Sequence, residues 1–182
     1  MSSNLVIGPY FFEENVNGKN YFDMIQNFFW PYIQSKGLCS KIMFQQDGAP
    51  PHYSLIVRNW LDKRLPGRWI GRRSPIEWAA RSPDLTPLDF FLWGFVKQKV
   101  YVRNYVSLND LRSSITKAVR SIKPDVLNRV FSNISKRLDL VIKKMELILN
   151  NICNLFLNNK ILSESLQNAK NLCILSYLFE KI

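Results

Sequence analysis

The spacing of apolar residues changes several times along this chain, and each change predicts an element. Leu5 to Phe12 is rich in Leu, Val, Ile, Tyr and Phe and predicts a strand, broken by Gly8-Pro9. Asn15 to Asn20 is a turn signal. From Tyr21 to Ile33 the apolar positions fall at helical spacing with a broad apolar face. Ser40 to Gln46 predicts a short strand, after which Gly48, Pro50 and Pro51 force a loop. Ser54 is placed to cap a helix running to about Leu65, with Leu55, Ile56, Val57, Trp60 and Leu61 on its buried side, and Pro66-Gly67 ends it. Trp69 to Trp78 predicts a short extended piece interrupted by Gly71 and Pro75. Pro83 and Pro87 keep the backbone out of helix until Leu88, where an apolar helix begins that turns basic at Lys97 and Lys99 and runs to about Val102. Ser107-Leu108-Asn109-Asp110 opens a further helix to about Ile122, and Pro124 opens a long one to about Met145.

Beyond about Lys143 the chemistry changes. The last Pro is Pro124 and the last Arg is Arg137, and residues 150–182 hold seven Asn and seven Leu. That tail is expected to be either helical, by its Leu and Ile spacing, or without selected structure. The 182 residues suit one domain, or one domain with an appendage, and a 47% apolar content is enough for a core. The net charge of +11 points to a polyanionic partner, nucleic acid first and an anionic membrane second. The charge is concentrated: residues 56–105 carry ten Lys or Arg against four acids and are interleaved with Trp60, Trp69, Trp78 and Trp93. The alternative for those cations is an ordinary solvated face, and for Trp78 and Trp93 an ordinary place in the core. Cys39, Cys153 and Cys173 have neither disulfide nor metal-ligand spacing and suit a reducing compartment. No leader pattern and no apolar run of membrane length is expected, so the setting expected is nuclear or cytoplasmic.

Two acids stand in unusual peptide contexts. Asp47 lies in Phe44-Gln45-Gln46-Asp47-Gly48-Ala49-Pro50-Pro51-His52, and Asp89 closes Arg81-Ser82-Pro83-Asp84-Leu85-Thr86-Pro87-Leu88-Asp89 before Phe90-Phe91-Leu92-Trp93-Gly94. A carboxylate after a strand and another at a helix start supply the hard oxygen donors that Mg²⁺ needs in phosphoryl transfer. A third carboxylate normally completes such a site. Glu13 and Asp23 are the N-terminal candidates to substitute for it, and strand-end and helix-surface roles suit them better. The bland alternatives are a turn former for Asp47 and a helix cap for Asp89. His52, the single histidine, either orients a bound water or phosphate or serves the packing and hydrogen bonding of its loop.

In these contexts Asp47 and Asp89 resemble the second and third carboxylates of mariner-like eukaryotic transposases with a DDE/D integrase-type catalytic domain. Leu5 to Glu13, Gln45 to His52, Trp69 to Trp78 and Arg81 to Gly94 carry the resemblance, with a weaker continuation from Leu108 to about Leu140. It implies an α/β, ribonuclease H-like fold with a mixed central sheet, here a truncated one lacking its first strand or strands and followed by C-terminal helices. The first catalytic Asp of the family lies upstream of the strand expected at Leu5, as does a DNA-binding helix-turn-helix. The division expected is a partial catalytic domain over 1–105, a helical extension over 106–145 and the Asn/Leu-rich tail over 146–182.

The resemblance further implies Mg²⁺- or Mn²⁺-dependent DNA strand cleavage and transfer in the parent family, with Asp47 and Asp89 as catalytic metal ligands. It implies DNA as partner, self-association and a nuclear setting. Asp84 competes with Asp89 for the third position, but it lies inside the Ser-Pro-Asp-Leu run and suits a turn-ordering role. Arg68, Arg72, Arg73, Arg81, Lys97 and Lys99 are the expected DNA-contacting residues. With two of three carboxylates, the chain is expected to be catalytically incomplete, or to be a non-catalytic nucleic-acid-binding module of the same origin. A sheet lacking its first strand is expected to leave an open edge that aggregates or pairs.

Overall fold

Asn17 begins the first helix with a reciprocal cap. Its side chain accepts from the backbone N–H groups of Lys19 and Asn20, and the Asn20 side chain accepts from the Asn17 N–H. The computed structural model describes residues 1–78, 82–150 and 172–175. From Asn17 the chain runs through α1 (Gly18–Met24), a π-helical stretch (Ile25–Phe29) and α2 (Trp30–Ser35). The helix expected over Tyr21–Ile33 lies within this rod, and its apolar face buries Tyr21, Met24, Ile25, Phe29, Trp30 and Ile33. Then follow β1 (Met43–Gln46), α3 (Leu55–Arg64), β2 (Trp69–Gly71) and β3 (Ile76–Glu77). A 3₁₀ turn (Pro83–Leu85) and a π-helical stretch (Leu88–Leu92) lead into α4 (Trp93–Val100). Next come α5 (Leu108–Arg120), α6 (Pro124–Asn150) and β4 (Leu172–Leu175). Ser107 caps α5, its hydroxyl accepting from the Asp110 N–H.

The sheet order is β3-β2-β1-β4, and every pairing among the described strands is parallel, where a mixed sheet was expected. Phe44 lies opposite Trp69 and Gln45 opposite Ile70. α3 makes the usual long crossover between β1 and β2. β2 and β3 are joined by residues 72–75 alone, far short of such a crossover. Arg73 takes a left-handed φ of 59°, and the Ser74 hydroxyl accepts from the Gly71 N–H and donates to the Ile76 carbonyl, which folds the loop back alongside β2.

Alternation along the strands divides the core. Phe44 and Trp69 pack with α1, α2 and α3, among Tyr21, Ile25, Phe29, Val57 and Leu61. Ile70 packs on the other side with Leu92 and Val96 of the α4 region, Ile115 of α5 and Leu127 of α6. Fully burying a side chain of this kind stabilises the fold by about 1.5–3 kcal/mol, so these two clusters hold the sheet between its helical layers.

Three expectations change. Leu5–Phe12 joins no ladder: Gly8 sits at φ 100°, and Pro9, after a cis peptide, has no N–H to give. The tail, expected to be helical or unstructured, contains β4, while α6 carries its backbone to Asn150 and residues 151–171 and 176–182 lie outside the described residues. The open edge expected of a sheet without its first strand does not fall at β1, which pairs with β4, Met43 to Gln46 in register with Leu172 to Leu175; β4 and β3 are the outer strands among those described. No described helix is long and apolar enough to cross a membrane.

Candidate metal and nucleic-acid site

Asp47 directly follows the last residue of β1, where the chain leaves the sheet. Its Oδ1 accepts from the Ala49 N–H at 2.9 Å and from His52 Nδ1. The first bond is an Asx turn, which is what an Asp before Gly-Ala-Pro provides. The second reaches across the loop to a histidine that is wholly buried. His52 is held in turn: its carbonyl accepts from Gln46 Nε2 at 2.8 Å, and its ring lies 4.3 Å from the Tyr21 ring. The Tyr21 hydroxyl donates to Gln46 Oε1 at 3.1 Å and closes the circuit. Tyr21, Gln46 and His52 are each at most 1% exposed, whereas the Asp47 side chain is 39% exposed.

Asp89 enters from the other side, in the first turn of the π-helical stretch after Pro87. Its N–H donates to the Thr86 carbonyl at 2.8 Å, and the buried Thr86 anchors the turn. Asp47 and Asp89, with 41 residues between them in sequence, line one cavity of about 570 Å³. Arg72, Trp78, Thr86 and Glu77 line it as well. Asp84 is exposed and outside the cavity, and its carbonyl accepts from Arg137 Nη1 at 3.0 Å. Glu13 is paired with Arg112 at 2.9 Å, which holds its carboxyl below the usual range, and Asp23 is exposed on α1. Neither lines the cavity. Glu77 does, and sequence reasoning passed over it. Its signal was its place at the end of an extended segment inside the stretch from Trp69 to Trp78.

The donor set suits Mg²⁺ or Mn²⁺ of a particular kind. Mg²⁺ keeps several waters and takes one or two carboxylates together with phosphate oxygens, and two carboxylates on an open cavity offer that. Among the described residues no three His, Cys, Asp or Glu side chains converge on a point that could hold an ion by themselves.

The expected DNA-contacting cations fall in different places. Arg72 and Arg73 are exposed in the β2–β3 loop, with their guanidinium carbons 4.3 and 5.9 Å from the Tyr53 ring centroid. Tyr53 follows His52, so this stacking ties the β2–β3 loop to the Asp47 loop. Arg68 is half-buried, and its Nη1 donates to the carbonyls of Cys39 at 2.8 Å and Ile42 at 3.3 Å. Lys97 is half-buried on α4, and Lys99 is exposed there beside the Phe95 ring. Arg81 lies outside the described residues.

The chain is 31% identical over 102 residues to the transposase of the Tc3 element of Caenorhabditis elegans, a match covering 55% of this chain and 29% of the relative. It is 27% identical over 122 residues to the Tcb1 element transposase of Caenorhabditis briggsae, covering 67% and 41%. Over part of its length the chain is therefore similar to Tc1/mariner-family transposases. The structure superposes on the catalytic domain of Mos1 mariner transposase with a TM-score of 0.59 and 20% identity, over 70% of this chain and 61% of that one. The Mos1 catalytic domain solved with Raltegravir and Mn gives the same TM-score at 21% identity. The fold is therefore ribonuclease H-like, with a small parallel sheet and a helical C-terminal part. The matched region spans less than half of the length of these two curated transposases. No protein-family model matches the chain.

Proposed function

We propose that this transposase-derived chain binds DNA and a divalent ion at the cavity between the Asp47 loop and the Asp89 turn. Asp47 and Asp89 would hold Mg²⁺ or Mn²⁺. When bound, the ion neutralises phosphate charge and lowers the pKa of a bound water. The chain's own residues do the rest: Arg72 and Arg73 meet the phosphate backbone, and the Asx turn fixes one carboxylate. Lys97 and Lys99 on α4 add positive charge for the DNA backbone in this reading, and the nucleus is the compartment that goes with it. The carrying observation is that two acids from separate motifs share one cavity with Arg72.

With two acids in the proposed ligand set, the chain by itself is proposed not to cleave DNA. The second reading, a non-catalytic nucleic-acid-binding module, is favoured by the lack of any converging group of three ligands among the described residues. One experiment separates them. Mn²⁺ binding that is lost in Asp47→Asn and Asp89→Asn supports the metal site, while DNA binding without Mn²⁺ binding supports the second reading. Incubation with supercoiled plasmid and either ion is expected to leave it intact. Nicking that vanishes in Asp47→Ala would overturn the incompleteness and point to Glu77 as the further ligand.

A further inference from the structure

We infer that His52 is a positioning residue for the Asp47 carboxylate, and that Tyr21 and Gln46 exist in this site to hold His52. The inference rests on the metal reading above and adds a residue that acts through a ligand. His52 Nδ1 is bonded to Asp47 Oδ1, so this nitrogen carries the proton and donates to the carboxylate. A carboxylate on a loop can turn about χ1 and χ2. Two donors on one oxygen, from Ala49 and His52, remove that freedom. Of the two, only His52 is anchored outside the loop. Its carbonyl is tied to Gln46 on β1, its ring lies against Tyr21 on α1, and Tyr21 and Gln46 are bonded to each other. All three are buried polar side chains, costly to desolvate unless satisfied: Tyr21 bonds Gln46, Gln46 bonds the His52 carbonyl, and the His52 ring bonds the one acid that is exposed to the cavity.

The test uses Mn²⁺ as probe on the full chain, with two substitutions that separate positioning from packing. His52→Phe keeps the ring against Tyr21 and removes the donor. His52→Asn keeps an N–H near the Nδ1 position and removes ring volume. Positioning predicts that His52→Phe loses about 10- to 100-fold in Mn²⁺ affinity, the usual effect of removing a group that orients a ligand, while His52→Asn stays within about threefold of wild type. Pure packing predicts the opposite order, because Asn leaves the larger void. Wild-type affinity in His52→Phe, or an equal loss in both variants, overturns the inference. Loss in Asp47→Asn and Asp89→Asn without loss in His52→Phe overturns it alone and leaves the metal reading standing. Absence of Mn²⁺ binding by the wild-type chain overturns both. A second measurement needs no variant: the chain has one histidine, so its ring signals in NMR are unambiguous. They are expected to show Nδ1 protonated and to shift on addition of Mg²⁺, and an Nε2-protonated ring that ignores Mg²⁺ would also overturn the inference.

Discussion

Gly71→Ala is expected to destabilise the chain, although replacing Gly in a strand usually helps. Restricting the unfolded chain is worth about 0.4–1 kcal/mol where the native backbone tolerates Ala. At Gly71 the new Cβ would lie 3.1 Å from Gln46 Cγ, 3.2 Å from Trp69 Cζ3 and 3.4 Å from the Gln46 carbonyl oxygen. The outcome turns on whether those neighbours can give a few tenths of an ångström. Gln46 is held at both ends of its amide, by the Tyr21 hydroxyl and by the His52 carbonyl. Trp69 is wholly buried, and its indole N–H donates to Asp62 at 2.9 Å. Neither is free to move, so the overpacking cost of about 1–3 kcal/mol prevails. The net loss is about 1–2 kcal/mol, or a fall in Tm of roughly 2–8 °C for a chain of this size, at 2–4 °C per kcal/mol. Thermal unfolding followed by circular dichroism measures it directly. An unchanged or raised Tm would refute the rigidity assigned to Gln46, and with it the anchoring of His52.

Gly18→Ala places a Cβ 2.8 Å from both Cβ and Oγ of Ser54, closer than real contacts come. It should lower Tm despite the better helix propensity of Ala, about 1 kcal/mol; a rise would show that Ser54, at the head of α3, yields freely. Arg72→Ala and Arg73→Ala should each weaken DNA binding equally for unrelated sequences and reduce the slope of log K against log salt by about 0.9, read by fluorescence anisotropy. Sequence-dependent losses, or an unchanged slope, would count against phosphate contacts. The Arg112 guanidinium lowers the Glu13 pKa through its hydrogen bond and its charge. A carboxyl lowered on folding contributes stability that is present above its unfolded pKa and lost as pH falls through its folded one. Glu13 should therefore titrate below the usual carboxylate range by NMR and return to it in Arg112→Ala; an identical midpoint in both proteins would refute the pairing.

What the chain discloses before folding depends on how local the cause is. Two helix starts were legible because their causes lie within four residues: Ser107 caps α5 with its own side chain, and Pro124 opens α6. Asn17, expected only in a turn, caps α1, and Ser54 heads α3 without the side-chain cap bond expected of it. The contexts of Asp47 and Asp89 were legible as peptides, and the Asx turn at Asp47 follows from Asp before Gly-Ala-Pro. Leu5–Phe12 misled because its composition suits a strand, while Gly8-Pro9, expected only to interrupt it, keeps the whole segment out of the ladder. The π-helical stretches at Ile25–Phe29 and Leu88–Leu92 carry no composition cue. Arg68 reads as a DNA-facing cation until the carbonyls of Cys39 and Ile42, 29 and 26 residues away, meet its guanidinium. The grip on His52 was out of reach for the same reason: Tyr21 and Gln46 come from α1 and β1 and meet the histidine only in three dimensions.

The parallel sheet explains why these residues gather at one place. In a parallel sheet every strand ends at the same edge, and ligands bind in the crevice outside those carboxyl ends. β1 ends at Gln46 and hands over to Asp47, β2 ends at Gly71 and hands over to Arg72, and β3 ends with Glu77 itself. All three residues line the cavity, which the turn carrying Asp89 completes. The separation of 41 residues between the two acids is then the length of one crossover, one short loop and the turn that follows, and it carries no cost in geometry. Register decides the rest. One residue earlier, at the wholly buried Gln46, a carboxylate would face Tyr21 inside the core. One residue later, at Gly48, a side chain would rise toward the aliphatic stem of Arg72, whose Cδ lies 3.5 Å from the position its Cβ would take. Position 47 is where the chain has left the ladder and still borders the cavity, and that is why an acid there is open to the cavity while one inside the ladder would be buried.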